Sequence, residues 1–98
     1  SNLAAPDRPA WVRQRAFNFE GDLARRGKRW EDAERAYRAV LAIDATDYGS
    51  WNNLGIALVN RSRFSEAEQA FQQSITLAPE DDLARRNLES LRQHLSQK

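Results

Sequence analysis

The sequence predicts an all-α fold built from helical hairpins. Two observations, the helical period and an internal repeat, lead to that prediction, and a third limits how the fold can be stabilised. Apolar residues recur every three or four positions, which is the period of an amphipathic helix. The 98 residues include no cysteine, so neither a disulfide framework nor a thiolate metal site can hold the fold. The chain also repeats itself at one fixed interval, which pairs residues of like size: Gly21 with Gly55, Trp30 with Phe64, and Tyr37 with Phe71. We therefore expect five helices in one domain, residues 9–98, after a disordered tail of residues 1–8.

The first helical hairpin is expected at about residues 9–26 and 30–42. Pro9 suits the first helical position, and an apolar stripe follows it. Gly27 offers a left-handed stop to the first helix. In the second helix Glu34 and Arg38 have the i, i+4 spacing of a favourable ion pair.

The second hairpin is expected at residues 48–60 and 64–77, with Asp47 as the N-cap of its first helix. Pro79 ends the following turn, and a last helix is expected over residues 80–96. Its apolar stripe contains Ala84, Leu88, Leu91 and Leu95, and no partner helix follows it. We interpret this helix as a cap that shields the apolar flank of the preceding pair.

The repeated positions resemble the tetratricopeptide repeat, which has a 34-residue period with Trp, Leu, Gly, Ala, aromatic and Pro residues at fixed offsets. The two copies are residues 14–47 and 48–81, and the second copy matches the pattern more closely. In the first copy Glu20 stands where the pattern has Leu, as terminal repeats tolerate. The residues that carry the resemblance are Gly21, Trp30, Ala33, Tyr37, Trp51, Leu54, Gly55, Phe64, Ala67, Phe71 and Pro79.

The resemblance implies a right-handed superhelix in which the first helix of each pair lines a concave, peptide-binding face. Carried over by position, the candidate binding residues are Arg15, Asn18, Asp22, Arg25, Arg26, Asn52, Asn53, Ile56, Val59, Asn60, Arg86 and Gln93, with Gly49, Leu83, Ser90 and His94 at further positions of the same face. Basic groups at both ends and an apolar middle suit a protein or peptide segment with an acidic group and an apolar anchor. Solvated arginines are equally normal on helices.

One subclass of the family clamps a C-terminal carboxylate with two basic and two Asn side chains. Only Asn53 matches that set in this sequence, and Asp22 would repel the carboxylate. The carboxylate clamp is therefore not expected here.

Catalysis, metal binding and cofactors are not expected. His94 is the only histidine, and no phosphate-binding glycine motif occurs. No apolar run is long enough to cross a membrane. Nucleic-acid binding is not expected either, because residues 1–29 carry a net charge of +4 but adjoin residues 30–82 with −6. The localisation is unknown, with the cytoplasm as the default, because a targeting segment can be missing from a fragment.

The leading hypothesis is thus a non-catalytic module for protein–protein interaction. The alternative is self-association through exposed helical edges, either the one that bears Trp11 and Phe19 or the one that bears Leu91 and Leu95. A third hypothesis is an accessory scaffold domain of a larger protein.

Overall fold

The computed structural model describes residues 2–97. Ser1, the first residue of the expected tail, and Lys98, the last of the expected domain, lie outside the described residues. Within this range all regular elements are α-helices: α1 (Ala10–Arg26), α2 (Trp30–Ile43), α3 (Tyr48–Asn60), α4 (Phe64–Leu77) and α5 (Asp82–Ser96). The expected all-α helical-repeat fold is confirmed. The disorder expected for residues 1–8 remains a prediction.

The helices stack in chain order, and each packs chiefly on its sequence neighbours. The α1–α2 and α3–α4 pairs form the two hairpins, α2 packs on α3, and α5 lies against α4 and α3. The resulting body measures 47 × 27 × 18 Å. Its core runs through all five helices, and its largest fully buried side chains are Tyr37, Phe71, Leu54, Leu58 and Val40. Among the helices that the structure describes, none combines the length and apolar character required to span a membrane.

Two glycines allow the helices of each hairpin to approach closely. A Cβ on Gly21 would lie 2.7 Å from Cε1 of Tyr37, and a Cβ on Gly55 would lie 2.5 Å from Cε1 of Phe71. Real Cβ atoms do not tolerate such distances, so only glycine at these positions leaves room for the aromatic ring against the preceding helix. The pairing of glycine and aromatic residue occurs once in each repeat and sets the crossing of both hairpins.

The helix ends differ from expectation in four places, of which the smallest is at α2, which ends at Ile43 instead of residue 42. Pro9 is the N-cap of α1 rather than its first helical residue. Gly27 has φ −85°, and Lys28, with φ 59°, adopts the left-handed conformation instead. The last helix begins at Asp82 rather than at residue 80, because the Asp81 carboxylate accepts the backbone N–H of Leu83 at 2.9 Å and caps it.

Asp47 caps α3 as expected, since its carboxylate accepts the Ser50 N–H at 3.1 Å. It also accepts side-chain amides from α1, at 3.3 Å from Gln14 and 3.4 Å from Asn18. The Ser50 hydroxyl donates to the side-chain Oδ1 of Asn18 at 3.3 Å. One cap thus joins the start of the second repeat to the first helix of the first repeat.

A charged cluster joins the repeats on another side. Glu34 of α2, only 7% exposed, accepts hydrogen bonds from Arg38 at 2.9 Å and from Arg61 and Arg63 of the α3–α4 turn. Burial would raise the pKa of Glu34, but the hydrogen bonds from Arg38 and Arg61 outweigh it, so the pKa lies below its ordinary value. The expected Glu34–Arg38 pair is therefore one part of a larger inter-repeat contact.

Candidate functional site: a groove between α3 and α5

An apolar groove lies between α3 and the cap helix α5. Its volume is about 240 Å³. Two half-buried aliphatic side chains of α3, Ile56 and Val59, form one wall, and α5 forms the other. The complete lining consists of Ile56, Val59, Asn60, Phe71, Asn87, Ser90, Leu91 and His94. Of the α3 residues expected from position on a concave face, Ile56, Val59 and Asn60 line this groove, together with Ser90 and His94 of α5.

The rim of the groove carries hydrogen-bonding groups. Asn87 donates from Nδ2 to Oδ1 of Asn52 at 2.9 Å, a contact that ties α5 to α3. Asn60 donates to the Ile56 carbonyl at 2.9 Å and is itself exposed. His94 also lines the groove, and its ring centroid lies 6.1 Å from that of Phe64. Amide, hydroxyl and imidazole groups therefore surround an apolar floor.

Three expected binding residues of α1 are engaged within the molecule. The Tyr37 hydroxyl donates to Oδ1 of Asp22 at 2.6 Å and accepts from Nε of Arg25 at 3.1 Å. Burial and the hydrogen bond to Asp22 raise the pKa of Tyr37 to about 12. Arg25 also contacts the Asp22 carboxylate at 3.5 Å, so the charges of the two side chains largely compensate each other. The third, Asn18, bonds to Asp47 and Ser50.

The other expected residues lie outside the α3–α5 groove. Asn52 is buried, at 3% exposure, and together with half-buried Asn53 lines a separate depression of about 90 Å³ at the start of α3. Arg15 lines a groove on α1, at the N-terminal end of the stack. Arg26, Arg86 and Gln93 are exposed, and Arg86 pairs with Asp82 at 3.5 Å.

Phe71, Asn87 and Leu91 line the groove but were not among the residues expected from position. Asn87 had a detectable signal, because it lies one repeat period after Asn53. Phe71 and Leu91 read as core residues, and both are buried, at 1% and 3% exposure. Leu91 was also expected on an exposed edge, and its burial against the core shows that expectation to be wrong.

Curated proteins similar to this chain are much longer than it is. Protein O-mannosyl-transferase Tmtc2 of Drosophila melanogaster is 37% identical over 75 residues, which is 74% of this chain and 8% of that protein. The peroxisomal targeting signal receptor of Eremothecium gossypii is 44% identical over 52 residues, 53% of this chain and 9% of the receptor. The Kluyveromyces lactis receptor is 38% identical over the same length. The chain spans less than a tenth of the length of each of these relatives.

The family model described as tetratricopeptide repeat matches residues 20–82. That span runs from the second half of α1 through the start of α5 and contains both glycine–aromatic pairs. The sequence period, the stacked hairpins and this match agree. The chain belongs to the tetratricopeptide repeat family.

Proposed function

We propose that this chain is an interaction module that binds an extended segment of another protein in the α3–α5 groove. The observation that carries the proposal is the combination of an apolar floor and a hydrogen-bonding rim in one concave site. Tetratricopeptide repeats generally mediate protein–protein interactions. Two of the relatives are named as receptors of a peroxisomal targeting signal, which also favours recognition of a segment of another protein.

The groove would select its ligand by one apolar side chain. Its volume of about 240 Å³ suits a side chain rather than a folded surface. Ile56 and Val59 would contact that side chain, while the Asn60 and Ser90 side chains bond to the peptide backbone. Because the groove walls are helices, the binding residues are held in place before the ligand arrives, which lowers the entropic cost of association.

The ligand would also carry an acidic group. Arg86 lies on α5, one of the two helices that form the groove, and its one ion pair within residues 2–97 is to an exposed aspartate, Asp82. Arg15 and Arg26 form no ion pair in this range, but they lie on α1, outside the groove lining. Arg25 contributes less, because it is shared with Asp22 and Tyr37. An exposed guanidinium group on the groove-forming helix α5 would attract and orient an acidic peptide, chiefly at low salt.

The same proposal assigns binding and no catalysis to these residues. The transferase activity in the name of the Drosophila relative belongs to a protein of which this chain matches 8%. The groove itself has one histidine and no carboxylate among its lining residues. Such a set offers hydrogen bonds and apolar contact to a ligand.

Selection from a phage library of random short peptides tests the proposal. We expect enriched peptides that combine an apolar residue with a nearby Asp, Glu or terminal carboxylate. Synthetic copies should lose at least about tenfold in affinity for Val59→Lys and Ile56→Lys, because a charged side chain would fill the apolar groove. Fluorescence anisotropy would measure the affinity of each variant, and its repetition at low and high salt would measure the contribution of the acidic group.

Leu77→Lys is the matched control, since Leu77 is an exposed apolar residue of α4 outside the groove lining. It should leave the affinity unchanged. Enriched peptides that bind all three variants as well as the original chain would refute the groove as the binding site.

A further inference from the structure

α1 exposes an apolar face at the N-terminal end of the stack, here called the N-terminal edge and defined by Trp11, Val12, Ala16, Phe19 and Leu23. Trp11 is 63% exposed and Phe19 is 65% exposed. All of these side chains except that of Leu23 line a groove of about 680 Å³ together with Asn2, Leu3, Arg15 and Glu20. Exposed apolar surface of this extent marks an interaction site.

The opposite end of the stack has a different character. Helix α5 turns Ala84, Leu88 and Leu91 inward, where each is buried. Its exposed residues are mainly polar or charged: Arg85, Arg86, Glu89, Arg92, Gln93 and Ser96. The two ends are therefore not complementary, and head-to-tail association of copies is disfavoured.

Glu20 argues against a further repeat helix as the partner of the N-terminal edge. It lies one repeat period before Leu54, which is 1% exposed where α2 and α4 cover α3. A helix stacked on α1 in the same way would bury the Glu20 carboxylate. Burial of an unpaired carboxylate is costly, so the partner must leave Glu20 at the rim or supply a cation.

A second copy of this chain meets that requirement. We propose that the N-terminal edges of two copies pair antiparallel about a two-fold axis to form a homodimer. The stripe spacing of four, three and four residues then places Ala16 against Phe19 of the second copy and Val12 against Leu23. A small residue meets a large one in each central layer, as close packing requires.

The charges of α1 favour the antiparallel arrangement. Arg13 and Glu20 are seven residues apart, so they share one flank of the helix, and neither forms an ion pair within residues 2–97. When two copies of a helix pair antiparallel, the same flank of each helix faces the other, and the residues along it run in opposite directions. Arg13 of each copy therefore lies opposite Glu20 of the other, which gives two ion pairs. A parallel arrangement would bring opposite flanks together and lose both pairs.

Sedimentation equilibrium with charge-reversal variants tests the proposal. The result is independent of the peptide groove, because none of the substituted residues lines that groove. The unaltered chain should form a concentration-dependent dimer. Arg13→Glu and Glu20→Arg should each weaken dimerisation at least about tenfold, because two attractive pairs become repulsive. The double variant R13E/E20R should regain the dimer.

Mixing the two single variants gives a sharper result. In Arg13→Glu, positions 13 and 20 both carry acidic side chains, and in Glu20→Arg both carry basic side chains. An equimolar mixture of the two variants should therefore form a heterodimer. Phe19→Ala should weaken the dimer about a hundredfold, since two exposed rings lose their burial.

Glu89→Arg, an equally exposed charge reversal on α5, is the control and should leave the dimer unchanged. Circular dichroism of each variant verifies that the helices persist. A monomer at all concentrations would overturn the homodimer, and a dimer whose double variant fails to recover would overturn the antiparallel register.

Discussion

Phe71 lies directly over the backbone of Gly55, where a Cβ would stand 2.5 Å from the ring atom Cε1. Gly55→Ala should therefore destabilise the chain, although alanine is normally the better helix former. The ring is 1% exposed and cannot move without displacing the core, so we expect a loss of about 1–3 kcal/mol in the free energy of unfolding. Urea titration followed by circular dichroism measures this loss.

Gly49→Ala is the matched control in the same helix. A Cβ there would meet only Oδ1 of Asp47, at an ordinary 3.6 Å. The substitution should leave stability unchanged or raise it by up to about 1 kcal/mol, as expected for alanine in place of glycine in a helix. Equal effects at positions 49 and 55 would contradict the role assigned to the Phe71 contact.

The Tyr37 hydroxyl predicts a loss of stability at high pH. The pKa of Tyr37 is raised from 10.0 to about 12 in the fold, so the fold prefers the neutral phenol. Its contribution is fully present below pH 10 and is lost as the pH rises through the folded value near 12. At neutral pH, Tyr37→Phe should cost about 1 kcal/mol through the lost hydrogen bond to Asp22.

The stability advantage of the original chain over Tyr37→Phe should shrink as the pH rises above 10, because the original chain has an ionisable phenol at position 37 and the variant has none. Urea midpoints from pH 10 to about 12 measure this decrease. Tyr48→Phe, at an exposed position, serves as the control for general alkaline unfolding. A constant difference between the original chain and Tyr37→Phe across the range would contradict the prediction.

The contribution of Glu34 to stability should have the opposite pH dependence. Its pKa in the fold lies below the ordinary value of 4.5, so its stabilising contribution is present above pH 4.5 and is lost as the pH falls through the folded value. Glu34→Gln should cost about 1–3 kcal/mol near neutral pH, because hydrogen bonds to charged partners are lost. The cost should shrink at acidic pH, as the carboxyl becomes protonated in the unfolded chain and then in the fold, because the charge that the arginines contact is lost.

Glu66→Gln is the comparison for this cluster, since Glu66 contacts Arg38 and Arg63 with a side chain that is 43% exposed. Its effect should stay below about 1 kcal/mol, as for exposed ion pairs. Thermal melts at neutral and acidic pH would show it. If both variants were equally destabilised, the burial of Glu34 would not be the cause.

The repeat architecture could be predicted from the sequence, because this architecture depends on residue size at fixed spacing. Gly21 and Gly55 recur one period apart with their aromatic partners, and that pattern determines the helix pairs. It did not predict the contacts of Glu34 with the α3–α4 turn. Arg61 and Arg63 lie 27 and 29 residues away in the chain, so only the stacking of the hairpins brings them to the carboxylate.

The candidate site was less predictable than the fold for a similar reason. Helical position indicates which face a residue occupies, but it does not tell whether the side chain is already bonded to a neighbour. Asn18 and Asp22 lie in α1 as expected, yet each bonds to other residues of the chain. Ile56 and Val59 were predictable because an aliphatic side chain has no such competing partner.

Both hairpin turns hold a non-glycine residue in the left-handed region, Lys28 with φ 59° and Ser62 with φ 60°, one repeat period apart. The rest of each hairpin imposes this backbone shape on whichever residue stands there. A glycine at either position would adopt this backbone shape without strain, so both turns can be substituted to raise the thermal stability of the chain. Lys28→Gly and Ser62→Gly should each release up to about 1 kcal/mol of backbone strain, and the double variant should melt at a higher temperature in calorimetry.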